Sequence, residues 1–275
     1  MHGLIKIYLN NNLNIYKMLN DINITPYDYQ DTLPYPYLVK DNFIHKNFAT
    51  LIQNEILNIP DSEWDRYSNP FEQKYTLRDK FNFPTNLKLL FDELQSTEFV
   101  NKLSNICGYK LSLDNTRNFW GVHKYDKGDK LDIHRDAGLH PVNMLKKQLT
   151  LGIYLSSNWK SEYDCKLEIW KGDMNSIHEK VDSIEPIFNR LILFTCNDYS
   201  WHGNPEPVNS AFINDAKRIF VTISYLSENF DDKNKCVKAY FVPRPTDPID
   251  LEKDKLRILR ADPERYKEIY KINTL

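Results

Sequence analysis

The period of the hydrophobic pattern between Asn118 and Leu226 constrains this chain more than any other feature. Asn118–Tyr125, Leu131–Asp136, Gln148–Leu155, Lys166–Lys171, Arg190–Cys196 and Arg218–Leu226 are short runs rich in β-branched and aromatic residues. Turn residues separate several of them, at Asp126–Gly128, Ser156–Asn158 and Asn204–Pro207. Runs of this kind bounded by turn signals read as strands. Two weaker ones, Lys180–Ile184 and Ser200–Gly203, bring the count to about eight, the complement of a jelly roll.

Upstream the period is helical. Phe48–Ile59 carries apolar residues at 48, 51, 52, 56 and 59, one face of a helix that Pro60 stops. Leu87–Leu94 and Phe99–Ile106 read as two further helices, the second closed by Gly108. Residues 1–45, punctuated by Pro26, Pro34 and Pro36, read as an extended lead-in, and Asp61–Lys80 as a loop. Beyond Pro243, Pro245 and Pro248, the charged segment Leu251–Ile272 reads as helical, interrupted by Pro263. The expected fold class is mainly β with flanking helices (α+β), around a double-stranded β-helix (jelly-roll, cupin-like) core. The expected layout is one domain over 1–275. It has a helical and extended layer at 1–115, the jelly-roll core at 116–228 and a C-terminal helical extension at 229–275.

With 275 residues, 41% hydrophobic and 13% aromatic, the chain can bury a substantial core. Its net charge of −2 disfavours nucleic acid as a partner. Cys107, Cys165, Cys196 and Cys236 lie far apart with no Cys-x-x-Cys pair, the pattern of free thiols in a reducing compartment. No apolar run approaches the roughly 18–20 residues of a membrane span. Met1–Met18 lacks the apolar core of a secretory signal. The expectation is a cytoplasmic protein with no membrane partner.

Residues i and i+2 of a strand share a face. An extended Leu131–Asp136 therefore projects His134 and Asp136 together while Arg135 points away. His202 follows the apolar run Leu191–Phe194 through a short turn, so a neighbouring strand can bring it to the pair. Two imidazoles and one carboxylate suit a ferrous ion and leave three of six coordination positions open. Taken alone His-x-Asp is a weak signal. Arg218 strengthens it, because a guanidinium aimed into a jelly roll needs an anion, and its fork suits a carboxylate.

From Tyr125 to Leu226 the chain resembles the prolyl-4-hydroxylase-like branch of the 2-oxoglutarate/Fe(II) oxygenases. Tyr125, Gly128, His134 and Asp136 match the branch's Tyr-x-x-Gly-x-x-x-x-x-His-x-Asp. Thr150, Tyr154 and Leu155 match its next strand, and Phe194, His202, Pro207–Val208 and Arg218 match its later strands and the turn between them. The resemblance implies that His134, Asp136 and His202 bind Fe(II) and form the catalytic centre. It also implies that Arg218 takes the distal carboxylate of 2-oxoglutarate, with Tyr125 and Thr150 lining the same pocket. O2 and ascorbate as reductant come with it. The implied activity is hydroxylation of an aliphatic C–H in a prolyl or other peptide residue. A free amino acid or small metabolite as substrate stays open, as does a non-catalytic cupin-like binding module.

Three departures bear on the site. Asp164 and Cys165 stand where the branch usually has Gly-Gly. His202 and Arg218 are 16 positions apart (218 − 202), which implies an inserted loop at Asn209–Ala216. Phe220 replaces a small hydroxyl residue and would narrow the cosubstrate pocket.

Competing motifs fare worse. His134-Arg135-Asp136 spells the protein-kinase catalytic tripeptide, but Pro141 stands where that loop needs Asn. A halogenase would lack the carboxylate that Asp136 supplies, and a nucleic-acid demethylase would place Arg where Ser224 stands. A zinc hydrolase leaves Arg218 without a role. His123 reads as a packed strand histidine, His140 as a solvent-exposed loop residue, and Trp170 and Trp201 as core.

Overall fold

The structure, a computed structural model, describes residues 4–9, 12–77, 81–209, 217–231, 233, 238–262, 264–266 and 268–269, with side chains from Lys17 onward. A hairpin of β1 (Leu4–Leu9) and β2 (Asn12–Lys17) precedes the short helix α1 (Pro26–Gln30) and β3 (Tyr37–Lys40). Next come α2 (Lys46–Leu57), β4 (Trp64–Asn69), β5 (Glu72–Leu77), α3 (Thr85–Leu94), α4 (Thr97–Cys107) and β6 (Ser112–Leu113). The body of the sheet is β7 (Trp120–Tyr125), β8 (Lys130–Arg135), β9 (Lys146–Tyr154), β10 (Leu167–Gly172) and β11 (Ile177–Ile184). It continues with β12 (Arg190–Thr195), β13 (Trp201–Asn204) and β14 (Arg218–Ser227). The short β15 (Tyr240–Phe241) and helix α5 (Leu251–Ala261) come last.

Hydrogen bonding links the strands in the order β11-β10-β13-β8-β5-β7-β14-β9-β12-β3, with β15 beside β8, β4 beside β5 and β6 beside β14. The sheet curls, so that β7, β14 and β9 face β8 and β13 across a central cavity. This is the jelly roll with flanking helices that the strand pattern predicts.

The alternation along β9, β12 and β14 explains the curl. Leu149, Leu151, Ile153, Leu191, Leu193, Ile219, Val221 and Ile223 point outward into one apolar cluster. Across from them in that cluster lie Phe48, Ile52 and Ile56 of α2, Leu90 and Leu94 of α3, and Phe99 and Leu103 of α4. The intervening residues Thr150, Tyr154, Arg218, Phe220, Thr222 and Ser224 line the cavity. A one-residue slip would exchange these faces. Each Leu or Ile moved out of the cluster would forfeit about 1.5–3 kcal/mol, so the register is fixed by the helices behind it.

Local signals place those helices. Ser96 caps α4 by accepting from the Phe99 N–H, and Gly108 ends it at φ 79°, the left-handed position glycine tolerates. The Glu55 carboxylate of α2 accepts from the Asn86 and Leu87 N–H groups and so caps α3 from outside. The expected helices and strands are observed within a few residues of their predicted limits.

Three segments differ from expectation. Asp61–Lys80 contains the β4–β5 hairpin, not a loop, and β5 joins β7 and β8. β4 exposes Asp65, Arg66, Tyr67 and Ser68 and β5 is mostly polar, which disguises strands whose other neighbours are supplied only by the tertiary fold. Residues 1–45 also hold regular structure, because β3 adds to the edge strand β12. In the C-terminal segment α5 ends at Ala261, while Pro263 and 270–272 lie outside the described residues, as do Cys236 and positions 210–216 of the expected inserted loop. Cys107, Cys165 and Cys196 are free and buried. No helix among the described residues is long and apolar enough to cross a membrane.

One close approach inside the barrel is absolute. A Cβ on Gly152 would lie 2.0 Å from Cζ of Phe220, so the Phe220 ring rests on bare backbone. Gly152→Ala is expected to destabilise the fold by about 1–3 kcal/mol through overpacking. Adding Phe220→Val should recover most of that loss, as read from urea midpoints.

Candidate active site

β8 and β13 pair antiparallel with His202 opposite His134. Between them Gly203 allows an unusually close approach, since a Cβ there would meet the Asp132 carbonyl oxygen at 2.7 Å. The two imidazole centroids are 4.4 Å apart. Each ring is fixed by the carbonyl two residues before it: His134 Nδ1 lies 2.9 Å from the Asp132 oxygen, and His202 Nδ1 lies 2.9 Å from the Ser200 oxygen. A carbonyl can only accept, so both Nδ1 atoms carry the proton and both Nε2 lone pairs are presented to a metal. Phe241 packs on His134 at 5.2 Å and Phe194 on His202 at 4.5 Å.

Asp136 completes the group. Its carboxylate lies 3.6 Å from His134 Nε2 and 4.0 Å from His202 Nε2. One ligand atom from each of the three residues falls within 4.8 Å of the others, so the set can converge on one ion. Burial, then the neighbouring His134, depresses the His202 imidazole to about 4, which keeps it neutral and able to ligate near pH 7. Burial alone would raise the Asp136 carboxyl. Lys147, whose Nζ lies 2.7 Å from Oδ2, leads in overcoming that and holds it well below the usual carboxylate range.

At the other end of the cavity Arg218 is 2% exposed. Its Nε donates to the Cys165 carbonyl at 3.1 Å, while Nη1 is buried without a hydrogen-bond partner among the described residues. The guanidinium lies over the rings of Tyr125 (4.4 Å), Tyr154 (5.1 Å) and Phe220 (5.9 Å). A buried guanidinium nitrogen with no partner is costly, and a carboxylate in the cavity would satisfy it. Asp164 and Cys165 adopt the positive φ that glycine favours, at 56° and 52°. That conformation directs the Cys165 carbonyl at Arg218.

These groups share one cavity of about 390 Å³, at the small end for small-molecule sites. All six residues singled out from the sequence line it: His134, Asp136, His202, Arg218, Tyr125 and Thr150. The Thr150 hydroxyl is engaged with Ser224 Oγ at 3.0 Å and Cys196 Sγ at 3.2 Å.

Other expectations fare differently. His123 lines the cavity instead of packing into the strand layer. His140 is fully buried, not solvent-exposed, and bonds Asp114 Oδ1 at 3.1 Å and Thr116 at 3.0 Å. Its ring holds Phe119, a cavity residue, edge-on at 5.0 Å. Trp170 and Trp201 belong to the core, as expected. Sequence reasoning misses Tyr67, Lys74 and Thr76 because it assigns no strand there. It misses Lys147 because β9 begins two residues earlier than its apolar pattern.

The geometry has counterparts in known proteins. Residues 120–226 match the family model of the 2OG-Fe(II) oxygenase superfamily, whereas no curated protein matches the chain. A prolyl-4-hydroxylase of Pseudomonas putida superposes with a TM-score of 0.56 at 12% identity, covering 74% of this chain and 99% of that one. A Trichoplax adhaerens prolyl hydroxylase, solved with a hypoxia inducible factor oxygen degradation domain peptide fragment, gives 0.52 at 19% identity, covering 70% and 84%. A Burkholderia pseudomallei oxidoreductase of the 2OG-Fe(II) oxygenase family gives 0.51 at 12%, covering 78% and 95%. Residues 120–226 thus carry a 2OG-Fe(II) oxygenase domain, and the chain has a prolyl-4-hydroxylase-like fold.

Proposed function

We propose that the chain hydroxylates an aliphatic C–H of a prolyl or other residue within a peptide, using Fe(II), 2-oxoglutarate and O2. One observation carries the assignment of roles. The partnerless Arg218 Nη1 and the convergent His134, Asp136 and His202 open onto the same small cavity, and a metal-chelating acid with a second carboxylate fits both ends.

In this reading His134 and His202 hold the ferrous ion through Nε2 and Asp136 holds it through its carboxylate, leaving three positions open. Arg218 binds the distal carboxylate, stacked between aromatic rings that exclude water and strengthen the contact. Tyr125 lies under the guanidinium, and Thr150 and Ser224 form the polar floor between the two ends. When bound, iron and 2-oxoglutarate supply the oxidising chemistry, consuming O2 and releasing succinate and CO2. The protein orients the partners and keeps His202 neutral and Asp136 ionised.

The peptide reading draws support from the peptide-bound Trichoplax adhaerens neighbour. The modest cavity volume favours a second reading, oxygenation of a free amino acid or small metabolite.

Succinate release in the presence of Fe(II), ascorbate and 2-oxoglutarate, with and without a peptide library, tests the proposal. Stimulation by peptides is expected, and stimulation by free amino acids alone would replace it with the second reading. Asp136→Ala should abolish succinate formation and lower Co(II) affinity by more than about 100-fold, since even partners behind the ligands are worth 10–100-fold. Arg218→Met removes a buried charge contact of about 2 kcal/mol or more. The expected result is a KM for 2-oxoglutarate raised roughly 30-fold.

A further inference from the structure

Cationic side chains outnumber carboxylates along the cavity wall. Among the described residues Lys74, Arg117, Lys147, Arg218 and Lys238 line it, against the single carboxylate of Asp136. Lys147 is matched by Asp136, and Arg218 by the cosubstrate in the proposed reading. Lys74 has no part in that reading.

Lys74 sits on the cavity wall that β5 and β7 form. β5 lies beside β7 with Thr76 opposite His123, and Lys74, two residues from Thr76, shares its face. Lys74, Thr76, His123 and Tyr67 all line the cavity. The Lys74 ammonium meets Glu72 at 3.1 Å, using one of its three donors. Glu72 also accepts from Asn69 Nδ2 and lies in the field of Arg260. It therefore does not cancel Lys74 alone. His123 makes no hydrogen bond among the described residues, and its nearest ring contact is Phe220, 6.4 Å between centroids. Burial, then Lys74, Arg218 and Lys147, hold its imidazole well below the usual histidine range. It is a neutral ring in a positive field, with nitrogens open to a ligand.

Resting on the oxygenase reading above, we propose that the substrate carries a carboxylate, which binds at this wall between Lys74 and His123. The ammonium supplies the charge and the imidazole N–H a directed hydrogen bond. The hydroxylated carbon then lies between that anchor and the metal ligands. The carboxylate is a Glu or Asp side chain in a peptide, or that of a free acid.

Four substrates separate these cases. Two are prolyl peptide pools that differ only in carrying Glu or Gln beside the proline, and two are N-acetylglutamate and its side-chain amide N-acetylglutamine. KM is read from succinate release by the Fe(II)- and 2-oxoglutarate-loaded enzyme. The Glu pool is expected to show a KM at least tenfold below the Gln pool. Lys74→Gln and His123→Leu should each remove most of that preference, with His123→Gln restoring part of it. Preference confined to the free acid would retain the carboxylate anchor and overturn the peptide reading. Equal KM values for acid and amide, or a preference that survives both substitutions, would overturn the anchor. If no substrate raises succinate release, calorimetry on Zn(II)- and 2-oxoglutarate-loaded protein decides it. Tighter binding of the acids supports the anchor, and equal or absent binding overturns it.

Discussion

The site depends on the distance between two strands. β13 can lie against β8 only because Gly203 has no side chain to strike the Asp132 and Leu131 carbonyls, and that contact sets His202 opposite His134. The rest of the ligand geometry depends on it. The carbonyls of Asp132 and Ser200 then fix both ring orientations, and Asp136 leaves the end of β8 beside the two Nε2 atoms. A barrel of the same topology with those strands slightly further apart would hold three polar residues without a shared focus.

The second constraint is the buried charge of Arg218. The fold does not neutralise it with an acidic partner but surrounds it with Tyr125, Tyr154 and Phe220 and one carbonyl. Cation–π contacts of this kind are worth about 0.5–2 kcal/mol each. That is enough to hold the guanidinium in place and too little to replace a hydrogen-bonded anion. The arrangement is stable enough to fold and incomplete enough to bind. It also explains why Asp164 and Cys165 tolerate positive φ: the turn aims the Cys165 carbonyl at the guanidinium.

Much of this is legible in the sequence. The period-two runs from Asn118 to Leu226 specify the strands because each alternation separates a helix-facing apolar row from a cavity-facing row. The ligand triad can be read because it obeys the same alternation, and Arg218 because charge is anomalous on such a row. The residues that escape detection lack a local signal. Lys74 sits on a strand with a single aliphatic residue, Leu77, and only its position beside β7 makes it a cavity residue. His140 reads as a loop histidine because its burial is created by Asp114 and Thr116, more than twenty residues away. Phe220 reads as an obstruction, but the accommodating absence of a side chain at position 152 involves a neighbouring strand and cannot be read from either residue alone.

That last pair has an evolutionary corollary. Because the Phe220 ring fills the space a side chain at 152 would need, position 152 cannot enlarge while that ring is present. Enlarging 152 demands a smaller residue at 220 first, and the reverse order passes through a clash. Descendants of this chain should therefore carry correlated identities at these two sites, with the contour of the cavity changing in discrete jumps and not by gradual accretion.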